Sequence, residues 1–319
     1  MKILITGGAG FIGSKLIDPL VNGGNEVFVV DDLSTGKLSN VSDKEINFTQ
    51  ADITDSIFIR NYFKKNNFDC VIHLAAVSST ELTYENPSRH VKTNIEATLN
   101  LMKISSQEGV KRFINASSMA VYGDPEESKV NENMPAHAKS LYALGKLMTE
   151  IYSDLDEFKN IEIINTRFFN VYGPGQDLEN VKQGIVSIFA HYIFYDEPIL
   201  TKGSRERFRD FVYIDDVVNA LLMLLKAKKI KSKIYNVCSG QKTTIKELQD
   251  HLIQAFGKDS ATYPVEVNGV TPSDQFGIYG DYSRLNEEFG WKPQTRVKDG
   301  IVRTVDWYMK NIKKTNSLS

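Results

Sequence analysis

The chain has 319 residues, 41% of them hydrophobic, enough for a substantial core and more than one compact domain usually holds. Its 38 basic and 40 acidic residues leave a formal net charge of -2, which points away from nucleic acid or an anionic membrane as the main partner and towards a small, locally recognised ligand. The two cysteines, Cys70 and Cys238, are far apart and read as reduced core thiols, which excludes a disulfide framework or a cysteine metal set and fits a cytoplasmic protein.

The opening run "MKILITGG" is too short for a signal h-region, and no stretch reaches membrane-spanning length, so a soluble protein is expected. In chain order, short β-branched runs ("KILIT", "EVFVV", "INFTQ", "CVIHLAA", "RFINAS", "IEIINTRF") alternate with helical patterns near 11 to 22, 55 to 66, 88 to 108 and 142 to 158. Continuous apolar strands separated by helices predict an α/β fold: a doubly wound, Rossmann-like parallel sheet buried on both faces. Its ligand crevice would lie at the carboxyl ends of the strands. Pro19 falls inside the first helical pattern and predicts a kink or an early stop there. From about 170 the texture becomes loop-like, with a helix near 181 to 195 and more turns and prolines after 230. A second, smaller C-terminal lobe over the strand ends is expected. Because "RDFVYIDDVVNALLMLL" again reads as strand then helix, the boundaries predicted are 1–168 for the first domain, with 205–228 returning to it, and 169–204 with 229–319 for the lobe.

The residues just after each strand carry the chemistry. In "ITGGAGFIG", Gly7, Gly10 and Gly13 stand three apart between a strand and a helix. Glycine serves there because the backbone turns sharply and a pyrophosphate must approach main-chain amides, while the following helix offers its positive end to that anion. An acid closes the second strand about 20 residues on, as in a dinucleotide-binding unit. Asp31 is expected to accept hydrogen bonds from the adenosine ribose and to repel a 2′-phosphate, which favours NAD over NADP; Lys37 nearby works against this. Asp52, after the third run, reads equally as an adenine contact or as a helix N-cap.

"SLYALGK" places Tyr142 and Lys146 one turn apart on one helix face, where an ammonium is expected to lower the phenol towards the working range of a base. This helix begins shortly after the strand that ends at Ser118, whose hydroxyl either caps that strand or joins the pair. His73 has no second histidine at ligand spacing and reads as a satisfied core imidazole. Arg205, Arg207 and Arg209 alternate as a strand presents residues on one face, either a solvated edge or an anion site.

The motifs "TGGAGFIG", "DDLSTG", "ADITD", "HLAA", "SSMAVYG", "YALGK", "RFFNVYGPGQ", "RDFVYIDDVV" and "GWKP" run in order along nearly the whole chain. With them the sequence resembles the extended short-chain dehydrogenases/reductases, and among these the nucleotide-sugar epimerases typified by UDP-glucose 4-epimerase. The resemblance implies that Gly7, Gly10, Phe11, Ile12, Gly13, Asp31, Asp32, Leu33, Ser34, Gly36, Asp52, Ile53, Leu74, Ala75 and Ala76 line bound NAD, joined by Asn94, Phe169, Tyr142 and Lys146. It implies Tyr142 as the base for the sugar 4-hydroxyl, Ser118 as a hydrogen-bond partner of that oxygen, Asn170 beside the sugar nucleotide, Arg209 on its diphosphate, and no metal. The substrate implied is a UDP-hexose or its N-acetyl counterpart, epimerised at carbon 4 through a transient 4-keto sugar.

A homodimer is implied through the helices near 88 to 108 and 142 to 158, although core packing would equally explain Val91, Ile95, Leu99 and Met102. The chain departs from the family pattern in two places: Thr271 stands where an arginine usually contacts the diphosphate, and Thr93 stands where some epimerases have an NAD-contacting asparagine, with Asn94 adjacent. Ile278 aligns loosely with a position that is bulky in enzymes restricted to non-acetylated sugars. Three rival readings are a sugar-nucleotide 4,6-dehydratase, which needs an acid and a base directly after the active-site hydroxyl, a non-catalytic dinucleotide sensor, and a simple alcohol dehydrogenase with the same triad, whose signature would be net production of NADH. Met119 and Ala120 fill neither dehydratase role, and the intact Ser118, Tyr142 and Lys146 argue against the sensor.

Overall fold

Each apolar run becomes a strand because β-branched residues bounded by turn formers pack on both faces of a sheet better than along one stripe of a helix. The computed structural model describes residues 1–269 and 276–315, with the side chains of Thr80 and residues 313–315 left aside. The first half contains β1 (Lys2–Thr6), α1 (Phe11–Asn22), β2 (Glu26–Asp31), β3 (Asn47–Gln50), α2 (Ser56–Asn66), β4 (Cys70–His73), α3 (Thr80–Glu85), α4 (Pro87–His90), α5 (Thr98–Gln107), β5 (Arg112–Ser118), β6 (Lys129–Val130) and α6 (Leu141–Tyr152). Then follow β7 (Glu162–Phe168), β8 (Asn170–Tyr172), α7 (Ile185–Phe194), β9 (Ile199–Thr201), β10 (Phe208–Arg209), β11 (Phe211–Tyr213), α8 (Ile214–Lys226), β12 (Ile234–Val237), β13 (Thr243–Thr244), α9 (Ile245–Ala255), β14 (Val265–Val267), β15 (Tyr279–Gly280), α10 (Ser283–Phe289) and α11 (Val297–Thr315).

Seven strands form one parallel sheet in the order β3-β2-β1-β4-β5-β7-β12. Ile5 of β1 is in register with Val29 of β2 on one side and Ile72 of β4 on the other, and all three are fully buried. The strand order reverses between β1 and β4, which opens a crevice at their carboxyl ends. Arg112 ties the far side of the sheet to α8: its Nη1 donates to the carbonyls of Leu224 (2.5 Å) and Leu225 (2.8 Å) and its Nη2 to that of Ala227 (2.8 Å), so a cation caps the helix C-terminus.

The chain divides into two compact units: Met1–Val121, Ala136–Phe168 and Val218–Tyr235 form the first, and Tyr122–Pro135, Phe169–Val217 and Asn236–Ser319 the second. The second unit contains short ladders, among them the parallel pairs β8 with β11 and β9 with β14. Asp210, between β10 and β11, joins the segment after β12 and β15: its buried carboxylate accepts from the Ser239 amide and hydroxyl (both 2.7 Å), the Gly240 amide (2.9 Å) and the Gly280 amide (3.0 Å).

Several local readings change. Helix α1 runs through Pro19 to Asn22 without the early stop expected, and the Gly23 amide closes on the Pro19 carbonyl at 3.1 Å. The pattern near 88 to 108 is three segments: α4, a π-helical stretch Val91–Ala97 that turns Thr93 and Asn94 inward, and α5. The arginines do not alternate along a strand. Arg205 and Arg207 lie in the turn before β10, where Arg205 donates to Gln249 (2.7 Å) and Arg207 to the carbonyl of Ser204 (3.0 Å), and only Arg209 is in β10. No described helix is long and apolar enough to cross a membrane.

Candidate active site

The dinucleotide loop is built from backbone. Gly7 has φ +72, and a Cβ there would lie 2.6 Å from the Ala75 amide nitrogen, so the loops after β1 and β4 touch main chain to main chain. At Gly13 a Cβ would meet the Gly7 carbonyl oxygen at 2.5 Å, which sets how closely α1 packs on the loop. Gly10 is the N-cap of α1 and supplies no side-chain cap, so the first amides of the helix, from Phe11 and Ile12 on, remain available to an anion.

Asp31, at the end of β2 and 7% exposed, accepts the Ala9 amide on Oδ2 and the Leu33 amide on Oδ1, both at 2.9 Å. Burial pushes its carboxyl above the usual range, with the two amides pulling the other way. Leu33 takes a left-handed φ of 60, and the chain folds back so that a Cβ at Gly36 would lie 2.9 Å from Asp31 Oδ1. Asp32 accepts from the Ser34 amide (2.9 Å) and hydroxyl (2.6 Å) and pairs with Arg89 at 2.7 Å. Asp52 accepts the Thr54 amide at 2.8 Å; the N-cap of α2 is Asp55, whose carboxylate takes the Ile57 and Phe58 amides, so the capping alternative for Asp52 falls away. Ile53 is buried in the core, and Leu74, Ala75 and Ala76 line the half-buried loop after β4.

Asn94 is buried and engaged within the protein through one acceptor and one donor. Its Oδ1 accepts the Val77 amide (2.7 Å) and its Nδ2 donates to the Val77 carbonyl (2.8 Å), so its amide braces the loop after β4. His73 is the satisfied imidazole expected: Nδ1 meets the Thr6 hydroxyl at 2.7 Å and Nε2 the Thr98 hydroxyl at 2.9 Å. Burial, aided by the charge of Lys146, draws it down to about 3 and keeps it neutral.

Three side chains converge past the end of β5. Ser140 caps α6 by accepting the Ala143 amide at 3.2 Å, which orients the first turn and with it Tyr142. The Tyr142 hydroxyl hydrogen-bonds to Ser118, and the Ser118 Oγ also accepts the Ala120 amide at 3.2 Å. Lys146 is buried and donates its Nζ to the Ala116 carbonyl at 2.6 Å. Burial brings its ammonium down to about 8, against the pull of Glu150.

The phenol differs from expectation. Burial raises Tyr142 above its ordinary value, only Ser118 pulls it back, and the Lys146 ammonium is turned to a carbonyl. Met119 and Ala120 open a short 3₁₀ turn directly after Ser118. Sequence reasoning missed the acid-base pair Glu150 and Arg167 beneath this site. Its signal was the spacing of Tyr142, Lys146 and Glu150, which repeats every four residues along one helix face.

The remaining expected residues belong to the second unit. Phe169 is buried and its amide donates to the Val237 carbonyl at 3.2 Å. Asn170 directs both its amide (3.1 Å) and its Nδ2 (2.9 Å) to the Asp210 carbonyl. Arg209 donates Nη1 to the carbonyls of Phe208 (2.7 Å) and Phe276 (3.3 Å), and burial with neighbouring Arg207 lowers its guanidinium to about 10. Ile278 is buried, and Thr271 lies outside the described residues. Among the described residues no cluster of histidine, cysteine or acidic side chains is set to hold a metal.

Residues 4–304 match the family described as GDP-mannose 4,6 dehydratase. The chain is 34% identical to the crystal structure of UDP-glucose 4-epimerase with UDP-glucose from Thermotoga maritima, with a TM-score of 0.92 over 98% of this chain and 100% of that one. It is 33% identical to the UDP-glucose 4-epimerase of Thermus thermophilus in complex with NAD, with a TM-score of 0.90 and coverage of 98% and 100%. It is also 30% identical to human dTDP-D-glucose 4,6-dehydratase, over 97% of this chain and 90% of that protein.

A methyl group at Gly7 would be forced into the Ala75 backbone. Gly7→Ala is therefore expected to lower NAD affinity by at least about 100-fold in calorimetric titration, because main chain cannot yield as a flexible side chain can. Unchanged affinity in a folded variant would remove this contact from the account.

Proposed function

The chain belongs to the GDP-mannose 4,6-dehydratase family of NAD-dependent nucleotide-sugar enzymes, within the extended short-chain dehydrogenases/reductases, and we propose that it is an isomerase that inverts carbon 4 of a UDP-hexose. The residues of the first unit fit NAD. The glycine loop presents amides with no side chain in the way, and the Asp31 carboxylate stands where ribose hydroxyls are read. When bound, NAD supplies a hydride acceptor at carbon 4 that also returns the hydride.

Tyr142 takes the proton of the sugar 4-hydroxyl, and Ser118 holds that oxygen by hydrogen bond while the carbonyl forms. Lys146, tied to the Ala116 carbonyl, keeps two further ammonium protons for the nicotinamide ribose and places a positive charge one turn from the phenol. Together with the charge of the oxidised ring this favours phenolate, against the burial that raises the phenol in the protein alone. The 4-keto sugar turns over and receives the hydride on its other face, and the Tyr142 phenol returns the proton.

The observation that carries inversion over dehydration is the pair after Ser118. Elimination of water from the keto sugar needs an acid and a base at those positions, and Met119 and Ala120 can neither give nor take a proton. Phe169 is proposed to lie beside the nicotinamide, and Asn170 and Arg209 to hold the sugar nucleotide, with Arg209 carrying diphosphate charge that Thr271 does not.

We also propose a homodimer. In the first unit, Leu144, Met148 and Ile151 of α6 are 45%, 37% and 60% exposed and Val91 is 49% exposed, whereas Met102 belongs to the core. A run of large apolar side chains along one exposed helix face suits a second copy. Sedimentation is expected to give twice the chain mass, and Ile151→Arg to give a single-chain mass; a parent that sediments as one chain contradicts the assembly.

The purified protein is expected to carry NAD and to interconvert UDP-glucose with UDP-galactose, or the N-acetyl pair, with no net rise of NADH in product chromatography. Tyr142→Phe should lower turnover by about 10²- to 10⁴-fold with NAD retained, as loss of a positioned base does. A near-normal rate would take Tyr142 out of the reaction, and unchanged UDP-hexoses with substrate-dependent NADH would contradict the epimerase reading.

A further inference from the structure

Beneath Lys146 lies a charged pair that the reaction above does not use. Glu150, one turn further along α6, and Arg167 of β7 are each 3% exposed. Arg167 Nε donates to Glu150 Oε1 at 3.0 Å, its Nη2 to Oε2 at 2.7 Å, and the Ser117 hydroxyl of β5 donates to Oε1 at 2.5 Å. Two ions withdrawn this far from water are weak evidence of stabilisation, since apolar residues of the same volume often do as well. Their placement gives another reason. Tyr142, Lys146 and Glu150 lie on one face of α6 at four-residue intervals, while Ser117 and Arg167 belong to the two strands on which that face rests.

We propose that Glu150, clamped by Arg167 and Ser117, is a positioning residue for Lys146: its fixed negative charge one turn away keeps the buried amine an ammonium, and its bonds to β5 and β7 hold the Tyr142 and Lys146 face against the strand ends. The proposal rests on reading Lys146 as an active-site group. Other titratable and charged groups near Lys146 oppose its charge or are neutral. His73 of β4 is held neutral at about 3, His90 of α4 is lowered by burial and by Lys146, Tyr142 is raised and so uncharged, and Arg167 is itself cationic. From β5 the amine receives only a carbonyl, that of Ala116. Burial already brings Lys146 to about 8, and Glu150 is the carboxylate that resists this. Without it the amine would lose its proton within the neutral range, and with the proton would go both its charge beside the phenol and one of its donors.

The test is the acetylation rate of Lys146 in the full chain, read by mass spectrometry of its peptide from roughly pH 6 to pH 10. The parent midpoint is expected near 8. Glu150→Gln keeps an oxygen acceptor for Arg167 and removes the charge, and its midpoint is expected about one pH unit lower, with the alkaline limb of turnover moving the same way. Glu150→Asp, which keeps the charge and draws it back by one methylene, should shift the midpoint less and in the same direction, and it serves if Glu150→Gln does not fold. An unchanged midpoint in a folded variant of either kind overturns the proposal, since a purely structural pair would alter stability and leave the titration of Lys146 alone. Labelling needs no substrate, so failure of the epimerase reading would appear as absent turnover with the midpoint shift intact.

Discussion

The buried hydrogen bond from Lys146 Nζ to the Ala116 carbonyl, 2.6 Å long, ties together the reactive half of the site. It joins the middle of α6 to the last part of β5, so that Ser118, two residues further along the strand, stands within hydrogen-bond reach of Tyr142, one turn back along the helix. On another side of the same helix Gly145 lets α6 pack closely on α4, since a Cβ there would fall 2.7 Å from His90 Nε2. Charge also depends on this bond. An amine directed at a carbonyl in a dry setting can remain protonated near neutrality only with an anion close by, and Glu150 provides one.

The cofactor half is held largely through main-chain groups, with the Asp31 carboxylate anchored to backbone amides. The loop after β1 meets the loop after β4 at Gly7 and Ala75, and the end of β2 is tied to the loop after β1 through the Asp31 carboxylate and the Ala9 amide. Asn94 then fixes the next residue but one, Val77, at two points. Main-chain walls of this kind cost nothing to reorganise when a ligand arrives, which suits a dinucleotide held through repeated reaction cycles.

What could be read from the sequence was local. The glycine spacing, the acid after the second strand and the Tyr142–Lys146 interval are each set within one turn or one strand, and the apolar runs mark strands because both faces of the sheet are covered. Contacts between distant segments were not legible. Asp55 caps α2, whereas Asp52 read equally as that cap or as an adenine contact, a difference of geometry within one loop. Asn94 is turned to Val77 by a π-helical stretch that leaves no periodic mark, and Arg205 and Arg207 alternate in sequence yet occupy a turn. The phenol value depends on burial, which composition does not report, and the Glu150–Arg167 pair depends on β7 lying under α6.

Family membership leaves inversion and dehydration both within reach of one scaffold, because both would begin with the same oxidation at carbon 4. What separates them in this account is the proton chemistry available after it. Tyr142 and Ser118 are proposed to attend one substrate oxygen, and Met119 and Ala120 have no proton to exchange with the neighbouring carbons. The most direct measurement is turnover of the UDP-hexose in deuterium oxide, with the product examined by mass spectrometry and proton NMR. The expected product is an epimer at carbon 4 with no carbon-bound deuterium and no loss of water. Deuterium on the sugar ring, or a 4-keto-6-deoxy product, would contradict it.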